Sequence, residues 1–153
     1  MKEYYELLIP KILSIIKSHN IKKIFDYGCG DAKVMRLLTL ESNNELILVG
    51  GDIIKSPIFD TWNIEFVPLG ADQRGKVFLN IDSRFDLVIC MFSLHHMQYP
   101  IYSLQAISSI LRDNGVLYLC DFSHDVDDIY KNIIDRLSEI IFEKEGGFHR
   151  HPY

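Results

Sequence analysis

The chain has 153 residues, 16 Lys and Arg against 21 Asp and Glu for a net charge of −5, and 48% hydrophobic residues. That is enough chain to bury one core, and the 12% aromatic content argues against disorder. No apolar run reaches the roughly 18 residues that a membrane span needs, and the acidic balance disfavours a broad electrostatic grip on nucleic acid.

The N-terminus, MKEYYELLIPK, is charged and interrupted by Pro10, so it does not read as a signal peptide. Cys29, Cys90 and Cys120 form no CxxC pair, which fits neither a disulfide framework nor a zinc knuckle. A reduced, cytoplasmic setting is expected. Tyr5, Leu8, Ile9, Ile12, Leu13 and Ile16 recur at helical steps and predict an N-terminal helix over 2–18, with Pro10 bending it or marking its start. Ile21–Tyr27 is a short β-prone run stopped by Gly28 and Gly30. A helix is expected over Ala32–Leu40, with Val34, Leu37 and Leu38 on one side. Glu45–Val49 is nearly all apolar, as in a strand covered on both faces, and runs into Gly50-Gly51-Asp52.

Ser56–Thr61 is a short helix candidate, and Ile64–Leu69 a strand in which Pro68 marks an edge or an end. Phe85–Phe92 is the strongest buried strand. Tyr102–Leu111 is helical, with Leu104, Ile107 and Leu111 on one face, and Asp113-Asn114-Gly115 turns the chain into a strand at Val116–Phe122. A long helix over 126–145 closes the order. Strands alternate with helices and no repeat or linker divides the chain. The pattern is that of a single α/β domain, 1–153, with a parallel sheet.

Asp26-Tyr27-Gly28-Cys29-Gly30-Asp31-Ala32-Lys33 stands where the first strand meets a helix, and ligands of such folds collect at that edge. Gly28 and Gly30 permit a sharp turn and close approach of a ligand to the backbone. A dinucleotide fingerprint would place a third glycine at Lys33, and no GxxxxGK[ST] loop is present, so the turn is not shaped for a pyrophosphate. Asp26 suits a cationic head such as an ammonium group, and Asp52, ending the second strand, suits the hydroxyls of a ribose. The plainer alternative is an ordinary strand–helix turn that Asp26 caps.

D-Y-G-C-G-D-A followed by G-G-D-I, and F-D-L-V-I-C-M-F-S-L-H-H-M followed by L-R-D-N-G-V-L-Y-L, resemble the class I S-adenosylmethionine-dependent methyltransferases over roughly Ile21 to Phe122. The resemblance implies a Rossmann-like, doubly wound parallel sheet of strand order 3-2-1-4-5 with a cofactor-binding core at 21–122. It also implies S-adenosyl-L-methionine as cofactor. Asp26, Gly28 and Gly30 would line its methionine part, Asp52 would take the ribose hydroxyls and Ile53 would lie against the adenine. Asp72 would meet the adenine amino group, with Met91 and Phe92 closing the pocket near the sulfonium. The family sheet ends in two further strands for which this sequence leaves no room. A truncated chain or a minimal domain is therefore expected, with a sheet edge open to a second copy or a partner protein.

His95 and His96, just past the fourth strand, are the titratable pair best placed to act as a base or to touch substrate, against the alternative that they cap the strand. Their spacing makes no zinc site. M-F-S-L-H-H-M resembles both the broad small-molecule methyltransferases and the mRNA cap guanine-N7 enzymes. The motifs of amino-adenine, cytosine-C5 and ribose-2′-O enzymes are missing. The acceptor is thus expected to be a nucleophilic N or O of a small molecule or of RNA, with Lys22, Lys23, Lys33 and Arg36 as the basic residues a capped end would need. The competing reading is a cofactor-binding but inactive module acting as a partner or scaffold. A nicotinamide enzyme is disfavoured by Lys33.

Overall fold

The structure, a computed structural model, describes residues 2–42, 45–73, 77–79, 81–97 and 99–121. The described residues up to Asp121 make one compact unit. The helix expected over 126–145, and whatever follows the fifth predicted strand, fall outside the described residues. Among the described residues no helix is long and apolar enough to cross a membrane.

The N-terminal stripe forms α1 (Lys2–Ser18), which buries Ile9, Ile12 and Ile16 and half-buries Tyr5, Leu8 and Leu13. Pro10 lies inside α1 and does not start it. Its position is exposed, so the helical hydrogen bond it forfeits is on the solvent side. The strands are β1 (Lys23–Tyr27), β2 (Ile47–Asp52), β3 (Glu65–Ala71), β4 (Val77–Leu79), β5 (Phe85–Met91) and β6 (Leu111–Cys120). Between them come α2 (Lys33–Glu41), a 3-10 turn at Pro57–Asp60, another at Leu94–His96, and α3 (Pro100–Ile110).

The sheet runs β4-β3-β2-β1-β5-β6, and every pairing is parallel except β3 with β4. Without β4 this is the expected 3-2-1-4-5 order in a Rossmann-like α/β sheet. The correction is the added edge strand β4, too short for its alternation to be legible, whose Phe78 ring covers the position a Cβ on Gly70 would occupy. Pro68 is interior to β3, yet β4 pairs only from Leu69 onward, so the missing N–H costs no ladder bond there.

Alternation along the strands sorts the core. Ile24, Leu48, Leu87, Ile89 and Met91 join the α1 and α2 residues in one buried cluster. Phe25, Tyr27, Val88 and Cys90 are equally buried on the alternate positions, and Phe85, which opens β5, is buried with its ring edge-to-face to Phe25 at 5.0 Å. Met35 is buried in α2, and Leu37, expected there, is half-buried. Leu111 leaves α3 to open β6, and Ile110 takes its place on the buried face. The Asp113-Asn114-Gly115 turn appears as a register shift in β6, with Asn114 at φ 64°.

Candidate active site

Parallel pairing brings the carboxyl ends of β1, β2, β3, β5 and β6 to one edge of the sheet, and the expected site residues all lie on or just past those ends. The turn after β1 is held by backbone bonds: the N–H groups of Gly28 and Cys29 both donate to the Gly51 carbonyl, at 2.8 and 3.1 Å. Gly28 has φ +76°, and a Cβ there would collide with Ser93, reaching 2.7 Å from its Oγ. Gly30, at φ +52°, is different: among the described residues nothing lies within 4 Å of where its Cβ would be. The two glycines therefore serve different needs, one fitting protein and the other leaving open space. Asp52 spans the strand ends, its Oδ2 accepting from the Gly30 N–H at 2.8 Å and its Oδ1 from the Ile53 N–H at 2.7 Å. Ala32 begins α2 at φ 57°, a left-handed conformation that an alanine adopts only under constraint.

Asp26 is 2% exposed, and no hydrogen-bond donor among the described residues reaches its carboxylate. Burial, reinforced by the negative charge of Asp52, pushes its carboxyl up to about 7. The alternative role of helix cap fails, since α2 begins at Ala32 with no side-chain cap. Tyr5 of α1 faces the same turn: its hydroxyl is raised by burial and then by the charges of Asp26 and Asp31. The Lys33 ammonium sits over the Tyr5 ring at 4.2 Å, which is what occupies the third-glycine position. Phe92 leaves β5 at φ 53° and makes edge contacts with Tyr4 and Tyr5 at 6.1 and 6.3 Å. Met91 is buried in the core, Ile53 is 77% exposed beside Asp52, and Asp72 is exposed just past β3.

The histidines divide. His95 is half-buried and held by Asp121, whose Oδ2 accepts the His95 backbone N–H at 3.1 Å and whose Oδ1 lies 2.6 Å from Nδ1. His96 is exposed and lays its ring on that of His95, with centroids 3.8 Å apart. Sequence reasoning placed Asp121 among the polar residues at the active-site side of the last strand's end but missed its pairing with His95. The available signal was an acidic residue at the end of the last strand of a parallel sheet. Sequence reasoning also missed Ser93, whose Oγ donates to the Tyr27 carbonyl at 3.1 Å and wedges the β5 loop under Gly28. The basic residues do not form one patch. Lys23 reaches Ser83 and the Phe85 ring near the start of β5, whereas Lys33 and Arg36 are on α2 with Tyr5 and Asp31. Among the described residues no cluster of His, Cys, Asp or Glu could hold a metal ion.

The profile of a family described as a methyltransferase domain matches residues 1–146. The chain is 27% identical over 112 residues to a ubiquinone biosynthesis O-methyltransferase from Histophilus somni, an alignment covering 63% of this chain and 43% of that protein. It thus spans less than half of that relative. A SAM-bound amino pentose methyltransferase of calicheamicin biosynthesis from Micromonospora echinaspora superposes with a TM-score of 0.56 at 16% identity, over 74% of this chain and 49% of the other. An S-adenosylmethionine-dependent methyltransferase from Clostridium acetobutylicum gives 0.55 at 20%, over 74% and 48%. At such identities the likeness is one of fold.

Proposed function

This chain belongs to the methyltransferase-domain family, and on that premise we propose that it transfers a methyl group from S-adenosylmethionine to a nucleophilic oxygen or nitrogen of a small molecule. The observation that carries the reading is Asp26: a buried carboxylate that no donor among the described residues reaches, beside a glycine turn, calls for a cationic ligand. The open space over Gly30 gives such a ligand backbone access.

In this reading Asp26, Gly28 and Gly30 hold the amino-acid end of the cofactor. Asp52 offers its remaining lone pairs to the ribose hydroxyls, and exposed Ile53 an apolar face to the adenine, with Asp72 at its rim. Met91 and Phe92 wall the reactive end, under Tyr4 and Tyr5 of α1. When bound, the cofactor supplies an electrophilic methyl group on a sulfonium. The protein's share is to align the acceptor and exclude water, which is worth several kcal/mol. His95 and His96 stand at the acceptor side of the edge. The separation of Lys22 and Lys23 from Lys33 and Arg36 favours a small acceptor over RNA.

Titration calorimetry with S-adenosylhomocysteine tests the cofactor assignment. Binding is expected, with Asp52→Ala weakening it by about 10- to 100-fold, the cost of one charged acceptor. Binding of NADH alone, or of neither compound, defeats the reading. A methyl-transfer screen of small-molecule pools against capped RNA then separates the acceptors, and cofactor binding with no transfer would identify an inactive module.

A further inference from the structure

We infer that Lys33 takes the carboxylate of the cofactor's amino-acid end while Asp26 takes its ammonium group. The chain thereby reads that end as a zwitterion and discriminates against a donor that lacks the carboxylate. The inference deepens the methyltransferase reading above and rests on it. Lys33 is the first residue of α2, at the position where a dinucleotide fold would place its third glycine.

Among the described residues that flank the glycine turn, all charges but two are matched. Asp52 accepts from the Gly30 and Ile53 N–H groups at 2.8 and 2.7 Å. Asp31 is exposed and pairs with Arg36 at 3.2 Å. The two that remain are opposite in sign. Asp26 is 2% exposed, and no donor among the described residues reaches it. Lys33 is half-buried, and no carboxylate among the described residues lies within ion-pair distance of its ammonium group. That group rests instead over the Tyr5 ring at 4.2 Å. A ring face orients an ammonium group without neutralising it and leaves N–H donors for a ligand.

Tyr5 shows that the two charges stand near one place without meeting. Its ring carries Lys33, and its hydroxyl is raised by burial and then by the charges of Asp26 and Asp31. Lys33 has no such hold on Asp26, whose carboxyl is set by burial and by the like charge of Asp52. A buried acid without a counter-charge is costly, and with a base held apart from it the pair is what a zwitterion bridges. An α-amino acid carries both charges on one carbon, ammonium for Asp26 and carboxylate for Lys33. Helix α2 assists the second: it opens with no side-chain cap and no acidic residue in its first turn, so its positive end favours an anion. Gly30, between the two residues in the chain, leaves open space for the ligand among the described residues. A pyrophosphate would meet Lys33 as well, but it brings Asp26 a like charge and no cation.

The test is titration calorimetry on the whole chain with S-adenosylhomocysteine and with its decarboxylated analogue, which differs only by hydrogen in place of the carboxylate. The wild type is expected to bind the first at least about 10-fold more tightly, the worth of one hydrogen-bonded charge. Lys33→Met keeps the stem of the side chain and loses the charge. In it the preference should fall to within about twofold, through loss of S-adenosylhomocysteine affinity alone. The analogue should bind that variant as it binds the wild type, which also shows that the variant is folded. Lys33→Arg should keep the preference. Asp26→Asn should weaken both compounds alike, because both keep the ammonium group. A preference unchanged in Lys33→Met overturns the inference. So does an equal loss of both compounds in that variant, which would make Lys33 a fastener of α1 through Tyr5. An Asp26→Asn chain that binds the analogue as tightly as wild type overturns it too. A wild type that binds both compounds equally defeats the Lys33 assignment alone, whereas one that binds neither defeats the cofactor reading itself.

Discussion

Asp26 and Asp86 sit on neighbouring strands, β1 and β5, and their environments are opposite. Asp86 lies at the amino end of β5 and is fully engaged: its Oδ2 accepts the backbone N–H of Lys22 and Lys23 at 3.0 and 2.8 Å, and its Oδ1 pairs with Arg112. Burial alone would raise its carboxyl, but the Lys23 and Lys22 N–H groups and the Arg112 charge together hold it below the ordinary carboxylate range. Asp26 is more deeply buried, is offered no donor among the described residues, and faces a like charge in Asp52. A carboxylate with both oxygens engaged is part of the frame. One that is buried without partners weakens the frame and is retained for what it binds. The amino ends of these strands are built for stability and the carboxyl ends for a ligand.

The largest expected effect comes from removing the misfit. Folding raises the Asp26 carboxyl from near 4 to about 7, so the folded chain holds a proton that the unfolded chain releases between those values. The stability this contributes is therefore complete below about pH 4 and is lost as pH rises through about 7. Asp26→Asn has no such proton to lose. Urea unfolding of ligand-free wild type and Asp26→Asn from about pH 4 to 8 should show the wild type falling relative to the variant by on the order of 3 kcal/mol. Parallel pH profiles would mean that Asp26 is solvated or partnered after all, and the contrast with Asp86 would collapse.

How much of this was legible in the sequence follows the same division. The parallel core and the glycine turn were readable because they depend on local signals: apolar runs for covered strands, helical spacing in α1, and paired glycines at a strand end; the strand order came only with the resemblance to the methyltransferases. β4 was not, since its three residues, Val77–Leu79, carry no periodicity and are recruited by pairing with β3. The end of α3 was missed by one residue because Leu111 fits a helical stripe and a strand start equally well. Among site residues, Asp26 and Asp52 could be named by position, but that Asp26 lacks a partner is a property of everything around it. Asp121 shows the limit most clearly. Its relation to His95 exists only once β6 lies beside β5, and nothing in the spacing of the two residues encodes it. Likewise Lys22, Lys23, Lys33 and Arg36 look clustered along the chain, yet the length of β1 separates them in space.

The second effect in size should come from Asp86→Ala, which leaves the Lys22 and Lys23 N–H groups without their acceptor. A loss of about 2 kcal/mol in urea unfolding at neutral pH is expected, the cost of stranding partly buried donors. S-adenosylhomocysteine binding should be unchanged, because the amino ends of the strands take no part in the site. A variant that folds as well as wild type but loses cofactor would reverse the assignment of the two ends.

Arg112→Ala sharpens the contrast from within. The Asp86–Arg112 pair looks the strongest of the Asp86 contacts, but the Arg112 side chain is 53% exposed, and such pairs contribute little once solvent screening is counted. The backbone donors, by contrast, are fixed in place by strand β1 and keep their bonds to Asp86 when the guanidinium is gone. The expected loss is under about 1 kcal/mol, shrinking further near 1 M salt, where the screening length falls to roughly 3 Å. If Arg112→Ala instead cost as much as Asp86→Ala and responded steeply to salt, the ion pair would be what satisfies Asp86. The difference between the two aspartates would then lie in the presence of a cation and not in backbone hydrogen bonding, and a lysine or arginine engineered near Asp26 would be enough to turn the ligand-binding end into frame.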